Sequence, residues 1–239
     1  HAGAVGEAWQ SGSYPAPRVP RPQHGPTRTL SEHAGKAALA AFGVPVPRSR
    51  VVSCAQAADA AEALGFPVVL KACGAGLEHK SDLGAVVLDI TTVQQASTAA
   101  AQLSALSAEL LVEQMIEDGV AEVLVGVIVD PQFGQVLVLG AGGVQTELWQ
   151  DSVSLLPPWT RPAIEIALGR LKVARLLDGY RGKPPGDVAA LVDAILAIGR
   201  YAQAHCDTLV ELDVNPVIVR PQGAGAIAVD VLIRALEES

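Results

Sequence analysis

At 239 residues the chain is long enough for one large domain or for two lobes with cores of their own. Half of its residues are hydrophobic and only 4% aromatic, so its cores must be built from Val, Leu, Ile and Ala. A net charge of -8 argues against a nucleic-acid binder with a basic face, and no apolar run is long enough to span a membrane.

Cys54, Cys73 and Cys206 are widely spaced and contain no CxxC pair, so neither a zinc site nor a disulfide framework is indicated. A reduced, cytoplasmic setting is expected. The chain starts at His1, its one methionine is Met115, and it lacks a charged-then-apolar leader. We therefore expect a piece of a longer product.

Residues 1–28 read as a semi-extended linker, with five prolines between Tyr14 and Pro26. Ser31 then reads as the N-cap of an Ala/Leu-rich helix that runs to about Phe42 and stops at Gly43. A short strand is predicted near Arg50–Ser53, and a helix over Ala55–Leu64 ended by Gly65. A buried strand from Pro67 to Leu70 delivers Lys71 at its far end. Strand Val86–Ile90, helix Val93–Leu106 and strand Leu110–Met115 complete a first α+β lobe. From Ala121 the pattern turns strand-heavy: EVLVGVIVD and QVLVLGAGG flank a Pro-Gln-Phe-Gly turn. Helices over Pro162–Leu177 and Asp187–His205 follow, then strands Thr208–Val214 and Ala226–Ile233.

Five constellations carry chemistry. After Lys71 comes a loop with Gly74, Gly76, His79, Lys80, Asp82 and Gly84. Its glycines would let backbone N–H groups approach phosphate oxygens, and its lysines would neutralise them, although a solvated hairpin loop has the same composition. In LVELDVNPVIV, Glu211, Asp213 and Asn215 alternate with aliphatic residues, so one strand face carries two carboxylates and an amide until Pro216 ends the run. Asp230 is the lone acid of IAVDVLI. Carboxylates of this kind suit Mg²⁺, or they pair with arginines across strands. Glu113 and Glu122 bracket a connector between lobes. A nucleotide there could bond the backbone of Gln114 and Met115 and place ribose hydroxyls on a carboxylate; exposed strand-end acids are the other reading. Last, Gly140, Gly142 and Gly143 close a strand ahead of Glu147, permitting close approach by a ligand or by another backbone.

Taken in order, LSEHAGKAALAAFGVPVP, GFPVVLK, HKSDLGAV, LVEQM, EVLVGVIVDPQFG, GAGG with TELWQD, LLDGYRGKPPGDV, ELDVNP and AVDVLI resemble the ATP-grasp domain of NDP-forming acyl-CoA synthetases. These are relatives of the succinyl-CoA synthetase β subunit. The resemblance runs from about Leu30 to Leu236, departing at Ala85, where glycine is usual, and at Gln135, where proline is common. It implies an α+β ATP-grasp fold whose two lobes, 29–112 and 113–239, enclose a nucleotide cleft. It implies that Lys71 binds the α/β-phosphates and that the loop His79–Gly84, with Lys80 and Ser81, covers the phosphates. His79 would take part in phosphoryl relay. Glu113, Gln114 and Met115 would form the adenine hinge, with Glu122 on the ribose or phosphate side. Asn215 and Asp230, with Asp213 beside them, would hold Mg²⁺. The implied cofactors are ATP/ADP and Mg²⁺. The implied reaction is acyl-CoA + ADP + phosphate ⇌ acid + CoA + ATP, with the phosphohistidine carried on a CoA-binding domain or α subunit outside this chain. The Pro-rich lead favours a portion of a fused polypeptide. A catalytically inactive regulatory domain fused to an acetyltransferase is the alternative, and a carboxylate–amine ligase a third reading that the His79 loop disfavours.

Overall fold

A computed structural model describes residues 25–74, 84–143 and 151–237. His79, Lys80, Ser81 and Glu147 lie outside the described residues.

The small sheet contains β2 (Ser49–Ser53), β3 (Val68–Ala72), β4 (Val86–Ile90) and β5 (Glu109–Gln114), in the order β2-β5-β3-β4 and antiparallel throughout. Helices α2 (Ala57–Leu64) and α3 (Val93–Leu103) cover one face, and a 3₁₀ turn, Cys54–Gln56, leads into α2. Their small apolar stripes, Ala57, Ala60, Ala61 and Leu64 on α2 and Ala96, Ala99, Ala100 and Leu103 on α3, recur at helical spacing and pack onto Val68, Leu70, Leu110 and Val112. Because a strand alternates sides, Val69 and Lys71 of β3 and Leu111 and Glu113 of β5 must point to the opposite face. They are nonetheless buried, so that face is covered too.

The large sheet is antiparallel, seven-stranded and runs β1-β11-β9-β6-β7-β8. Its members are β1 (Thr27–Thr29), β6 (Ala121–Asp130), β7 (Gly134–Ala141), β8 (Ser152–Leu155), β9 (Leu209–Val219), β10 (Ala226–Ala228) and β11 (Val231–Leu236). β11 pairs with the first part of β9, and β10 with its last three residues. Helices α4 (Arg161–Leu168), α5 (Ala174–Leu177) and α6 (Val188–Ala204) supply Ile164, Leu177, Leu191, Ile195 and Ile198 to its core. Asp187 caps α6, its Oδ1 accepting from Ala190 N at 3.1 Å. At the other end His205 is the C-cap residue, its Nδ1 2.8 Å from the Tyr201 carbonyl.

Helix α1 (Glu32–Ala40) starts where Ser31 Oγ accepts from Ala34 N at 3.3 Å. Leu39 enters the large sheet's core, and Leu30 N donates to Ile233 O of β11. So β1 and α1 pack with the large sheet, although the sequence groups residues 29–112 as one lobe and ends the linker at residue 28. Three element expectations are revised. Pro162–Leu177 is two helices, Ala226–Ile233 falls in two strands, β10 and β11, with Val229 and Asp230 between them, and β9 continues past Pro216 to Val219. Proline is tolerated there because the β6–β9 register shifts opposite it, between Val123 and Val125, and because β10 and β11 change over there on the other edge.

Candidate functional site

The covered face of the small sheet explains Lys71. Its Nζ donates to Glu32 Oε1 at 2.6 Å and to Val229 O at 2.7 Å, and lies 3.2 Å from Glu113 Oε1. Lys36 Nζ donates to the same Glu32 Oε1 at 2.8 Å and to Glu113 Oε2 at 2.5 Å. Two lysines and two glutamates thus meet in one buried cluster, with Lys36 and Glu113 each 2% exposed. Burial by itself lowers the Lys71 pKa, but the carboxylates of Glu32, Glu113 and Asp230 outweigh it and hold the ammonium above the usual lysine value. For Lys36, burial and then the Lys71 charge win, and its pKa is lowered.

Lys71 therefore reaches from the small sheet to the segment between β10 and β11, next to Asp230. On the large sheet, the core residues Leu212, Val214, Val217 and Val219 lie on one face of β9, which leaves Glu211, Asp213, Asn215 and Ile218 on the other. The alternation read from LVELDVNPVIV is present. Glu211 takes the cross-strand arginine, Arg234, while Asp213 faces acids. Burial, then Glu211 and Asp230, push the Asp213 carboxyl up to about 6. Asn215 N donates to Asp230 O at 3.2 Å, and Asn215 Oδ1 accepts from Gly143 N at 2.9 Å. That oxygen keeps a second lone pair. Among the described residues no group of three or more His, Cys, Asp or Glu could hold a metal ion. Two carboxylates and an amide oxygen still fit a hydrated Mg²⁺ that takes its remaining ligands from phosphate.

The glycines after β7 serve another backbone. A Cβ on Gly142 would stand 2.9 Å from the backbone of Val123, and one on Gly143 (φ +63°) would stand 1.7 Å from Glu122 Oε2. Only glycine lets this turn lie against β6 and join Glu122 to Asn215.

Glu113 is not a strand-end acid in solvent; both its oxygens are engaged in that cluster. The N–H groups of Gln114 and Met115 are also taken, by Arg48 O at 2.9 Å and Pro67 O at 3.1 Å. A cavity of about 490 Å³ begins one residue later, at Ile116 and Glu117. Glu122 and Ile218, register partners on adjacent strands, form part of its wall, and Tyr180, Arg181 and Lys183 close it from the segment after α5. Sequence reasoning gave no role to Glu32 and Lys36. Their signal was an acid and a lysine one helical turn apart behind an N-cap. Arg181 and Lys183 lay inside a quoted motif without a role.

The sequence matches the ATP-grasp domain family over residues 23–235. It is 31% identical to the acetate–CoA ligase (ADP-forming) II subunit β of Pyrococcus furiosus over 85% of this chain and 90% of that one. It is 39% identical to trans-feruloyl-CoA synthase FCS1 of an unknown prokaryotic organism, over 85% of this chain but 30% of that protein's length. The chain thus spans under a third of such longer relatives. Among solved structures it superposes with a TM-score of 0.76, at 30% identity and 98% coverage of both chains, on the dinucleotide-forming acetyl-coenzyme A synthetase 1 of Ca. Korarchaeum cryptofilum. That protein was solved with coenzyme A and Mg-AMPPCP. With this match over most of its length, the chain belongs to the ATP-grasp domain family and is related to the β subunits of ADP-forming acetate–CoA ligases.

Proposed function

We propose that the chain binds the adenine nucleotide of an ADP-forming acyl-CoA synthetase and exchanges a phosphoryl group between ADP/ATP and a phosphohistidine. The histidine would be carried by a CoA-binding domain or α subunit outside this chain, and the net reaction would be acyl-CoA + ADP + phosphate ⇌ acid + CoA + ATP. One observation carries the reading: Lys71 of one sheet meets the Val229–Asp230 segment of the other, beside Asp213.

Lys71 would bind the α/β-phosphates, helped by His79, Lys80 and Ser81, with His79 in the relay. The ribose would lie on Glu122, and the base along the connector that begins at Glu113, Gln114 and Met115. Asp213, Asn215 and Asp230 would hold Mg²⁺, whose charge offsets that of the phosphates. Positioning and charge neutralisation dominate catalysis of this kind.

Isothermal titration with Mg·ATP tests the reading. Binding that Lys71→Ala weakens at least tenfold supports it. Absent binding, or binding that the substitution leaves unchanged, counts against it and leaves a non-catalytic synthetase-like module standing. Release of acid and CoA from acyl-CoA with ADP, phosphate and the partner region then identifies the reaction.

A further inference from the structure

We propose that Asp118 and Arg220 are positioning residues for the base end of the nucleotide: their ion pair bolts the connector between the sheets to the turn between β9 and β10, and so keeps Ile116, Glu117 and Gly119 in place as a wall of the cavity. The inference rests on the nucleotide reading above.

The connector runs from the end of β5 to the start of β6 and is held at both ends. On the small sheet's side Gln114 N and Met115 N donate to Arg48 O and Pro67 O, and on the large sheet's side Val120 N donates to Val219 O at 2.8 Å. Between these ties Ile116, Glu117 and Gly119 line the cavity, and among the described residues no hydrogen bond of their own holds them. Asp118 is not part of that lining. Its carboxylate takes the Arg220 guanidinium, Oδ1 accepting from Nε at 2.7 Å and Oδ2 from Nη2 at 2.8 Å. A two-pronged pair of this kind fixes direction as well as distance. The same bonds hold the Asp118 carboxyl below its ordinary value, so the pair is charged at neutral pH. Arg220 is itself anchored. Its Nη1 donates to Ala224 O at 2.9 Å and its N to Gly225 O at 3.0 Å, while Gly223 N and Gly225 N both donate to Asp187 Oδ2 at 3.0 Å. Asp187 caps α6, so the connector is tied through Arg220 to the start of that helix. Gly119 completes the contact: a Cβ there would stand 2.9 Å from Ile218 Cγ2, which belongs to the same cavity wall. Both partners of the pair are partly exposed, so its contribution to folding is small. Its effect falls on the segment it holds. Without it, Ile116 to Gly119 are tied only at their ends, and a ligand must order them as it binds. Lys71 is held by Glu32 and Val229, on other elements, and does not depend on the pair.

Titration calorimetry of the full chain with Mg·ATP and with Mg·tripolyphosphate, accompanied by thermal unfolding, tests this in Asp118→Ala, Arg220→Met and the double variant. Each single substitution should weaken Mg·ATP about fivefold, the upper end for a partly exposed pair, with little change in the unfolding midpoint. Tripolyphosphate has neither base nor ribose and should bind within about twofold of wild type. Because both substitutions cut one tie, the double variant should also lose about fivefold rather than about twenty-five-fold. Equal loss of both ligands, losses that multiply in the double variant, or undiminished ATP binding in the single variants overturns the proposal while the nucleotide reading stands. Wild-type protein that binds no Mg·ATP overturns both. If wild type does not hold tripolyphosphate, the single and double variants decide with Mg·ATP alone, since multiplying or absent losses still sink the idea. If one single variant does not fold, the other carries the comparison of ATP with tripolyphosphate.

Discussion

Asp213 shows how much of a residue's behaviour is set by what surrounds it. Its folded carboxyl titrates near 6 against an ordinary 3.8. Because the folded pKa is the higher, the native state holds the proton more tightly, and the resulting stabilisation is complete below pH 3.8. It is lost as pH rises through about 6. Metal-free protein should therefore lose at most about 3 kcal/mol between pH 4 and pH 7 from this group, by urea unfolding, and Asp213→Asn should remove that slope. At this scale the sequence was informative wherever polarity conflicted with pattern. An acid in a strand, as at Asp213, or in an apolar run that reads as one, as at Asp230, is conspicuous because acids disfavour strands. Glu32 and Lys36 were not, because an acid and a lysine at i and i+4 suit any exposed helix. Their burial depends on strands β3 and β5, which lie far along the chain.

Among the elements, the end of β7 decides whether two strands can work together. Gly143 carries a left-handed φ, touches the Glu122 carboxylate and donates to Asn215. Gly143→Ala should cost on the order of 1–3 kcal/mol in thermal unfolding and weaken Mg·ATP binding as Glu122 is displaced. Wild-type binding in that variant would show that the Glu122–Gly143 contact does not matter to the ligand. Element reading from sequence worked where caps and apolar runs were strong: Val86–Ile90 matches β4 at both ends, and Asp187 opens α6. It missed β8, because SVSL carries only two apolar residues and strand formation there depends on pairing with β7. It stopped β9 at Pro216, since a register shift in a partner strand cannot be read from the strand that contains the proline.

For the whole molecule, the way the two sheets meet follows from which faces their helices leave for other partners. α2 and α3 leave Lys71 and Glu113 facing away from their core, and the large sheet's core leaves Asp213 and Glu122 outside it. Among the described residues no helix is long and apolar enough to cross a membrane. What the sequence could not supply was the assignment of α1, whose apolar face would suit either core until β1 fixes it beside β11. That pairing, Thr27 opposite Leu236 and Thr29 opposite Arg234, has a consequence for architecture. Among the described residues the first and last strands share one doorway, the rungs of a single ladder. Splicing such a unit into a larger protein would disturb its interior little, whichever side the neighbour occupies. A circular permutant that joins Leu236 to Gly25 through a short glycine linker and opens at Gln132 should keep a cooperative thermal transition. Loss of that transition would mean that the doorway must stay open for the sheet to form.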